Sequence, residues 1–250
     1  MSGPLAGTTV VSLRPAGAHD AMRRAAESRG ATLLPLSPWR LQPRDDARTR
    51  AALAAALGAP RVVFTSPMAV AAAARLERLL PAPGAAWLAV GNGTAAALRE
   101  AGIAAVAPAR MDSEGLLALA ELQHVSGLAV GLVTAPGGRG EIAPALQRRG
   151  AQVLRADVYE RIPVAPEGRA LEALRALQAP AWIALSSGAA LETLLATLAQ
   201  DDVAALQRAG VLAASERLAA LARQRGFTQV VVAASAMPED LLTACPRPPV

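Results

Sequence analysis

Arg61-Val62-Val63-Phe64-Thr65-Ser66-Pro67-Met68-Ala69-Val70 changes character in its middle. Its first half is a short, β-branched and aromatic apolar run, the pattern of a strand buried in a parallel sheet. Ser66-Pro67 then opens a helix, because a serine oxygen satisfies amides that the first turn leaves unpaired and proline suits the first helical position. A buried strand passing directly into a helix is a βα unit.

The same unit recurs on both sides. Upstream, Thr8 to Leu13 reads as a strand ended by Arg14-Pro15, followed by a helix from about Ala18 that stops at Gly30. Ala31 to Leu36 is a second strand running into Pro38, and Asp45 or Asp46 caps a helix through Leu57. Downstream come strand Ala86 to Val90, the loop Gly91-Asn92-Gly93-Thr94 with a helix to Gly102, and a helix opened by Ser113-Glu114 toward Gln123. Strand Leu128 to Val133 leads into Gly137-Gly138-Arg139-Gly140, a helix to Gly150 and a strand from Ala151 to Tyr159. A helix from about Glu167, strand Ala181 to Leu185, a helix through Leu198, strand Gly210 to Ala213, a helix opened by Ser215 and strand Gln229 to Val232 complete the series. This alternation predicts the α/β class, with parallel sheets and right-handed crossovers. Gly30-Ala31 and Gly150-Ala151 stand 120 residues apart, Ser66 and Ser187 stand 121 apart, and Gly102 and Gly226 stand 124 apart. A duplicated unit with small insertions gives such a slowly growing offset, and two similar modules sharing a cleft are expected from it.

Composition narrows the chemistry. The 250 residues are 53% hydrophobic but only 2% aromatic, so helices must pack through alanine and leucine, in one large or two small domains. The net charge of +5 comes from arginine alone, since the chain has no lysine. Guanidinium groups bind carboxylates and phosphates bidentately, which suits an anionic partner. The arginines are scattered and stacking aromatics are few, so nucleic acid is not the expected partner. Cys245, His19 and His124 are the only residues of their kinds, too few for a disulfide or zinc site, and no G-x-S-x-G elbow supports a serine hydrolase. The start lacks the pattern of a signal peptide and no apolar span is long enough for a bilayer, which points to a cytoplasmic protein with no membrane partner.

Three strand-to-helix junctions carry small polar residues: Thr65-Ser66-Pro67, Gly91-Asn92-Gly93-Thr94 and Ser186-Ser187-Gly188, with Ser215-Glu216 a weaker fourth. Each is a helix cap in its own right. In parallel sheets all of them fall at carboxyl edges, where free amides and helix dipoles favour oxygen anions. Gly91-x-Gly93 lets backbone approach a ligand closely, yet without a third glycine or a suitably spaced acid it is not a dinucleotide fingerprint, so NAD and FAD are not expected. Tyr159, the only tyrosine, ends its strand where an α/β protein binds ligands; a half-buried packing role is the alternative.

The ordered set Leu13-Arg14-Pro15, Val63 to Val70, Val90-Gly91-Asn92-Gly93-Thr94-Ala95, Gly150-Ala151 through Val158-Tyr159-Glu160-Arg161, Leu185-Ser186-Ser187-Gly188-Ala189 and Ala214 to Ala219 with Gly226-Phe227 resembles the uroporphyrinogen-III synthase family over about residues 8 to 235. The resemblance implies two similar flavodoxin-like, doubly wound parallel-sheet domains joined by a two-stranded connector. Residues 1–36 with 164–250 would form one domain and 40–160 the other, with Leu33 to Leu36 and Tyr159 to Val164 as crossing strands. It implies conversion of hydroxymethylbilane, a linear tetrapyrrole with eight carboxylates, to uroporphyrinogen III by a monomer without metal or organic cofactor. Tyr159 matches the tyrosine held to protonate the departing hydroxyl. Arg14, Thr65, Ser66, Gly93, Thr94, Arg139, Arg161, Ser186, Ser187 and Ser215 are the expected substrate contacts. The alternative from the two-module layout is a non-catalytic binding protein for a polyanionic small molecule.

Overall fold

The computed structural model describes residues 3–137, 140–178 and 180–246. The chain begins with β1 (Thr9–Ser12), α1 (Asp20–Glu27), β2 (Thr32–Pro35), β3 (Trp39–Pro43), α2 (Ala47–Leu57), β4 (Arg61–Phe64), α3 (Pro67–Leu76) and β5 (Ala86–Ala89). It continues through α4 (Asn92–Glu100), α5 (Ser113–Leu117), β6 (Ala129–Thr134), α6 (Ile142–Arg148), β7 (Gln152–Asp157) and β8 (Tyr159–Pro163). The last third holds α7 (Gly168–Arg175), β9 (Ala181–Leu185), α8 (Gly188–Thr197), α9 (Gln200–Gln207), β10 (Gly210–Ala213), α10 (Glu216–Gln224), β11 (Val230–Val232) and α11 (Pro238–Thr243).

These elements divide into two compact units, residues 1–40 with 162–250, and residues 41–161. The first is built on a parallel sheet of order β11-β10-β9-β1-β2, the second on a parallel sheet of order β5-β4-β6-β7. Counted along the chain within its own unit, each sheet starts 2-1-3-4, the doubly wound flavodoxin order. Parallel strands need cover on both faces, and the sequence supplies it: Val10, Val11, Val62, Val63 and Phe64 are all fully buried. In the second unit one face packs against α2, α3 and α4 through Leu53, Val70 and Leu98, and the other is lined by Leu116, Leu122 and Leu146. Backbone also approaches backbone there. A Cβ built on Gly131 of β6 would come within 2.0 Å of the Ala56 carbonyl oxygen of α2, so only glycine lets this helix settle on this strand.

β3 and β8 form a separate two-stranded sheet. The expected crossing strand Leu33 to Leu36 is therefore corrected. β2 is an edge strand of the parallel sheet, registered Thr9 to Thr32 and Val10 to Leu33 against β1, with Leu33 and Leu34 buried. The ribbon strand is the next one, Trp39-Arg40-Leu41-Gln42-Pro43, buried at Trp39 and exposed at Arg40 and Gln42. Tyr159 likewise opens β8 instead of ending β7, because the chain changes partner at Val158. The Val158 amide donates to Thr134 at the end of β6, while its carbonyl accepts from Arg44 beyond β3. The helix expected from Ser113 to Gln123 is also shorter. α5 starts from an Asp112 cap and ends at Leu117, and a single 3-10 turn, Ala120–Leu122, follows. Asp46, not Asp45, caps α2, its carboxylate accepting from the Thr49 amide at 2.9 Å. No helix among the described residues is long and apolar enough to cross a membrane.

Candidate active site

In the second unit the chain leaves β4 toward β5 on one side and returns to β6 on the other, so the crevice beyond the carboxyl ends of β4 and β6 is a topological switch point. A cavity of about 190 Å³ lies there. Thr65 and Ser66 reach it from the end of β4, Thr134 and Ala135 from the end of β6, and Tyr159 and Arg161 from β8. Tyr159 is 4% exposed, with its ring in the core cluster and its Oη 3.1 Å from Ser66 Oγ. Ser66 Oγ is also the cap of α3, accepting from the Ala69 amide at 3.1 Å. Beside this pair, Thr65 Oγ1 donates to Thr134 Oγ1 at 2.8 Å. The lining is thus a row of hydroxyls at a helix N-terminus, a surface selective for oxygen-rich ligands.

Charge around the cavity is sorted by pairing. Arg155 donates to both carboxylate oxygens of Asp157 and to the Ala135 carbonyl, so its guanidinium is fixed along the wall. Arg161 Nη1 lies 3.6 Å from the point where a Cβ of Gly137 would stand, and Gly137 turns with φ 81. Glu141 is the one carboxylate among the described lining residues. Among the described residues no group of His, Cys, Asp or Glu is arranged to hold a metal ion.

The cavity brings together four of the residues singled out in the sequence: Thr65, Ser66, Tyr159 and Arg161. Gly93 and Thr94, the second and third residues of α4, stand at the same sheet edge outside the lining, Gly93 exposed and Thr94 buried. The expectation that Gly91 makes room for a ligand is corrected, since a Cβ there would press to 3.3 Å on the Met111 Cβ and the glycine makes room for the protein's own side chain. Arg139 lies outside the described residues. The other four belong to the first unit, at the carboxyl ends of its own sheet. Ser187 and Ser215 cap α8 and α10, accepting from the amides of Ala190 at 3.3 Å and Leu218 at 3.4 Å, and Ser186 precedes them at the end of β9. Arg14 donates to the Ala236 carbonyl at 3.5 Å, and burial lowers its pKa. Thr134, Arg155 and Glu141 were not anticipated. Thr134 ends its strand much as Thr65 follows β4 and was open to the same reasoning, whereas nothing in the sequence sets Arg155 apart from the other scattered arginines.

A family model described as uroporphyrinogen-III synthase HemD matches residues 20–243. The uroporphyrinogen-III synthase of Escherichia coli (strain K12) is 35% identical over 134 residues, 53% of this chain and 54% of the relative, so the aligned stretch spans about half of that protein. Among solved structures, a mutant uroporphyrinogen III synthase from the extremely thermophilic bacterium Thermus thermophilus superposes with a TM-score of 0.63 at 22% identity, covering 95% of this chain and 96% of that one. The uroporphyrinogen-III synthetase of Helicobacter pylori 26695 superposes with a TM-score of 0.60 at 14% identity, covering 94% and 97%. These two likenesses establish the two-domain α/β fold. The family model begins at the first residue of α1 and ends at the last of α11, across both sheets and the ribbon, and on that match the chain belongs to the uroporphyrinogen-III synthase family.

Proposed function

We infer that this protein, acting as a single chain, closes hydroxymethylbilane into uroporphyrinogen III, with inversion of the last ring and loss of water. The observation that carries the reading is the Tyr159 phenol, hydrogen-bonded to Ser66 inside a hydroxyl-lined cavity at the switch point of the second unit. The leaving hydroxyl of the substrate needs a proton as its C–O bond breaks. Tyr159 is the side chain in this cavity assigned to supply it. A cavity of about 190 Å³ suits one terminal pyrrole, not four, so the remaining rings rest along the sheet edges. There the substrate's carboxylates meet Arg161 and the amides opening α3 and α4 near Thr65, Gly93 and Thr94. Once the hydroxyl has left, the electron-rich chain cyclises when its ends are held together, and such orientation is worth roughly 7–11 kcal/mol in well-placed intramolecular reactions.

The test is to supply hydroxymethylbilane and separate the product isomers. Uroporphyrinogen III is the expected product. Formation of the uninverted type I isomer alone, as happens without an enzyme, rejects the reading.

A further inference from the structure

We propose that Ser66 is a positioning residue for Tyr159, donating its hydroxyl proton to the phenol oxygen so that the tyrosine proton faces the substrate, and stabilising the phenolate formed when that proton leaves. This rests on the reading of Tyr159 as the acid. A serine hydroxyl has one proton and two lone pairs. In Ser66 one lone pair is occupied by the Ala69 amide at 3.1 Å, which leaves its proton free to be donated to Tyr159 Oη, 3.1 Å away. When the substrate's C–O bond breaks, the electron pair leaves with oxygen, the Tyr159 proton joins that oxygen and water departs. The negative charge left on Tyr159 Oη then accepts from Ser66 Oγ. The amide opening α3 polarises that serine further, so the bond strengthens as charge develops. The phenol is restored by the proton released when the attacked pyrrole carbon regains its aromatic ring.

The chain's internal repeat shows that the cap alone does not require this contact. Ser187 caps α8 as Ser66 caps α3, yet the ribbon residue 120 positions before Tyr159 is Trp39. A serine cap facing a phenol thus occurs in one unit only, the unit that carries the cavity described above.

Full-length Ser66→Ala, Ser66→Gly, Ser66→Thr and Tyr159→Phe proteins, with the double variants, provide the test. Glycine is included because it replaces a serine cap at little cost in stability, which keeps the result readable if the alanine protein folds poorly. Loss of the hydroxyl is expected to lower kcat about 10- to 100-fold with KM changed by less than about threefold, and threonine should restore most of the rate. In the Tyr159→Phe background, removing the serine hydroxyl should cost less than about threefold, because the two groups act as one. The chain has a single tyrosine, so the ring-carbon resonance of tyrosine-labelled protein reports Tyr159 alone and should shift in Ser66→Ala and Ser66→Gly but not in Ser66→Thr. An unmoved resonance overturns the contact and leaves the proposed reaction standing. Full turnover by Tyr159→Phe removes the acid and this proposal together, and equal losses from serine removal with and without the phenol overturn the proposal alone.

Discussion

Tyr159 owes its place to one backbone event. Val158 hands the chain from β6 to β3, donating to Thr134 and accepting from Arg44, and the next side chain is thereby aimed into the core with its oxygen at the cavity. Replacing it with phenylalanine keeps the packed ring and removes only the hydroxyl. Steady-state assays of Tyr159→Phe should show kcat reduced by about 10²–10⁴-fold, the usual worth of a general acid, while urea unfolding shows a loss of about 1 kcal/mol from the missing Ser66 bond. Turnover at the normal rate would take the phenol out of the mechanism. The residues that sequence reasoning could reach are those whose identity is unusual or whose position follows from a strand end: the single tyrosine, and Thr65-Ser66 where an apolar run meets a proline. Arg155 was out of reach because its role depends on a partner two residues away, Asp157, and on a carbonyl of another strand, Ala135. In the first unit Ser187 and Ser215 show the cap role also legible in the sequence, each accepting from one first-turn amide.

Helices announced by a capping side chain could be read from the sequence; of those without one, α1, α4, α6 and α7 were legible from flanking strands and glycines, and two others were not. Asp46, Ser66, Ser187 and Ser215 each accept from an amide of the first turn, and the helices they open were all anticipated. α9 and α11 start from Ala199 and Met237, which offer no side-chain cap, and neither helix was anticipated. The ribbon strand β3 escaped because Pro38 precedes it, Pro43 ends it and Arg40 lies within it, which masks its alternation. Close packing between elements is just as invisible, because one glycine in a strand looks like any other. Gly131 illustrates the consequence. Alanine there must push α2 off β6, since the obstacle is the Ala56 carbonyl and not a flexible side chain, and overpacking of that kind costs about 1–3 kcal/mol. Gly58, at the end of α2, has φ −75 and only ordinary contacts around a built Cβ, so alanine there should be neutral or stabilise by up to about 1 kcal/mol. Urea midpoints of Gly131→Ala and Gly58→Ala compared with the unsubstituted protein check this. Equal midpoints for the two variants would refute the packing account.

At the scale of the whole chain, the repeat visible in the sequence is real in the register but its copies are not the units. Thr9 pairs with Thr32 in β1–β2, and Ala129 pairs with Gln152 in β6–β7, each 120 positions later. Under the same offset β4 answers to β9, and with the offset grown to 124–125 the Leu88–Val106 bridge beside β5 has its counterpart in Leu212–Val231 of β10 and β11. Each sheet therefore joins strands from both copies, so neither half of the chain supplies a complete sheet by itself. Such a chain unfolds with contributions from both halves in either unit, so a local titration in the first unit should be felt in global stability. His19 is the group to follow. It is buried, with Nδ1 2.9 Å from Ser12 Oγ and Nε2 2.8 Å from Ser37 Oγ, tying together the ends of β1 and β2 and the start of α1. Burial lowers its pKa from the ordinary 6.5, the Arg23 and Arg14 guanidiniums lower it further, and Asp20 acts weakly the other way. The unfolded chain then takes up the proton near 6.5 while the folded chain resists it to lower pH, so the unfolded state holds more protons in that interval and stability falls as pH drops below 6.5. Above 6.5 both states are neutral and the contribution is complete. His19→Gln keeps a side chain able to bond to one serine but cannot take up a proton in this range. Between about pH 7.5 and about pH 5.5 the urea midpoint of the unsubstituted protein should therefore fall further than that of His19→Gln. Parallel declines of the two proteins would assign the acid sensitivity to other groups.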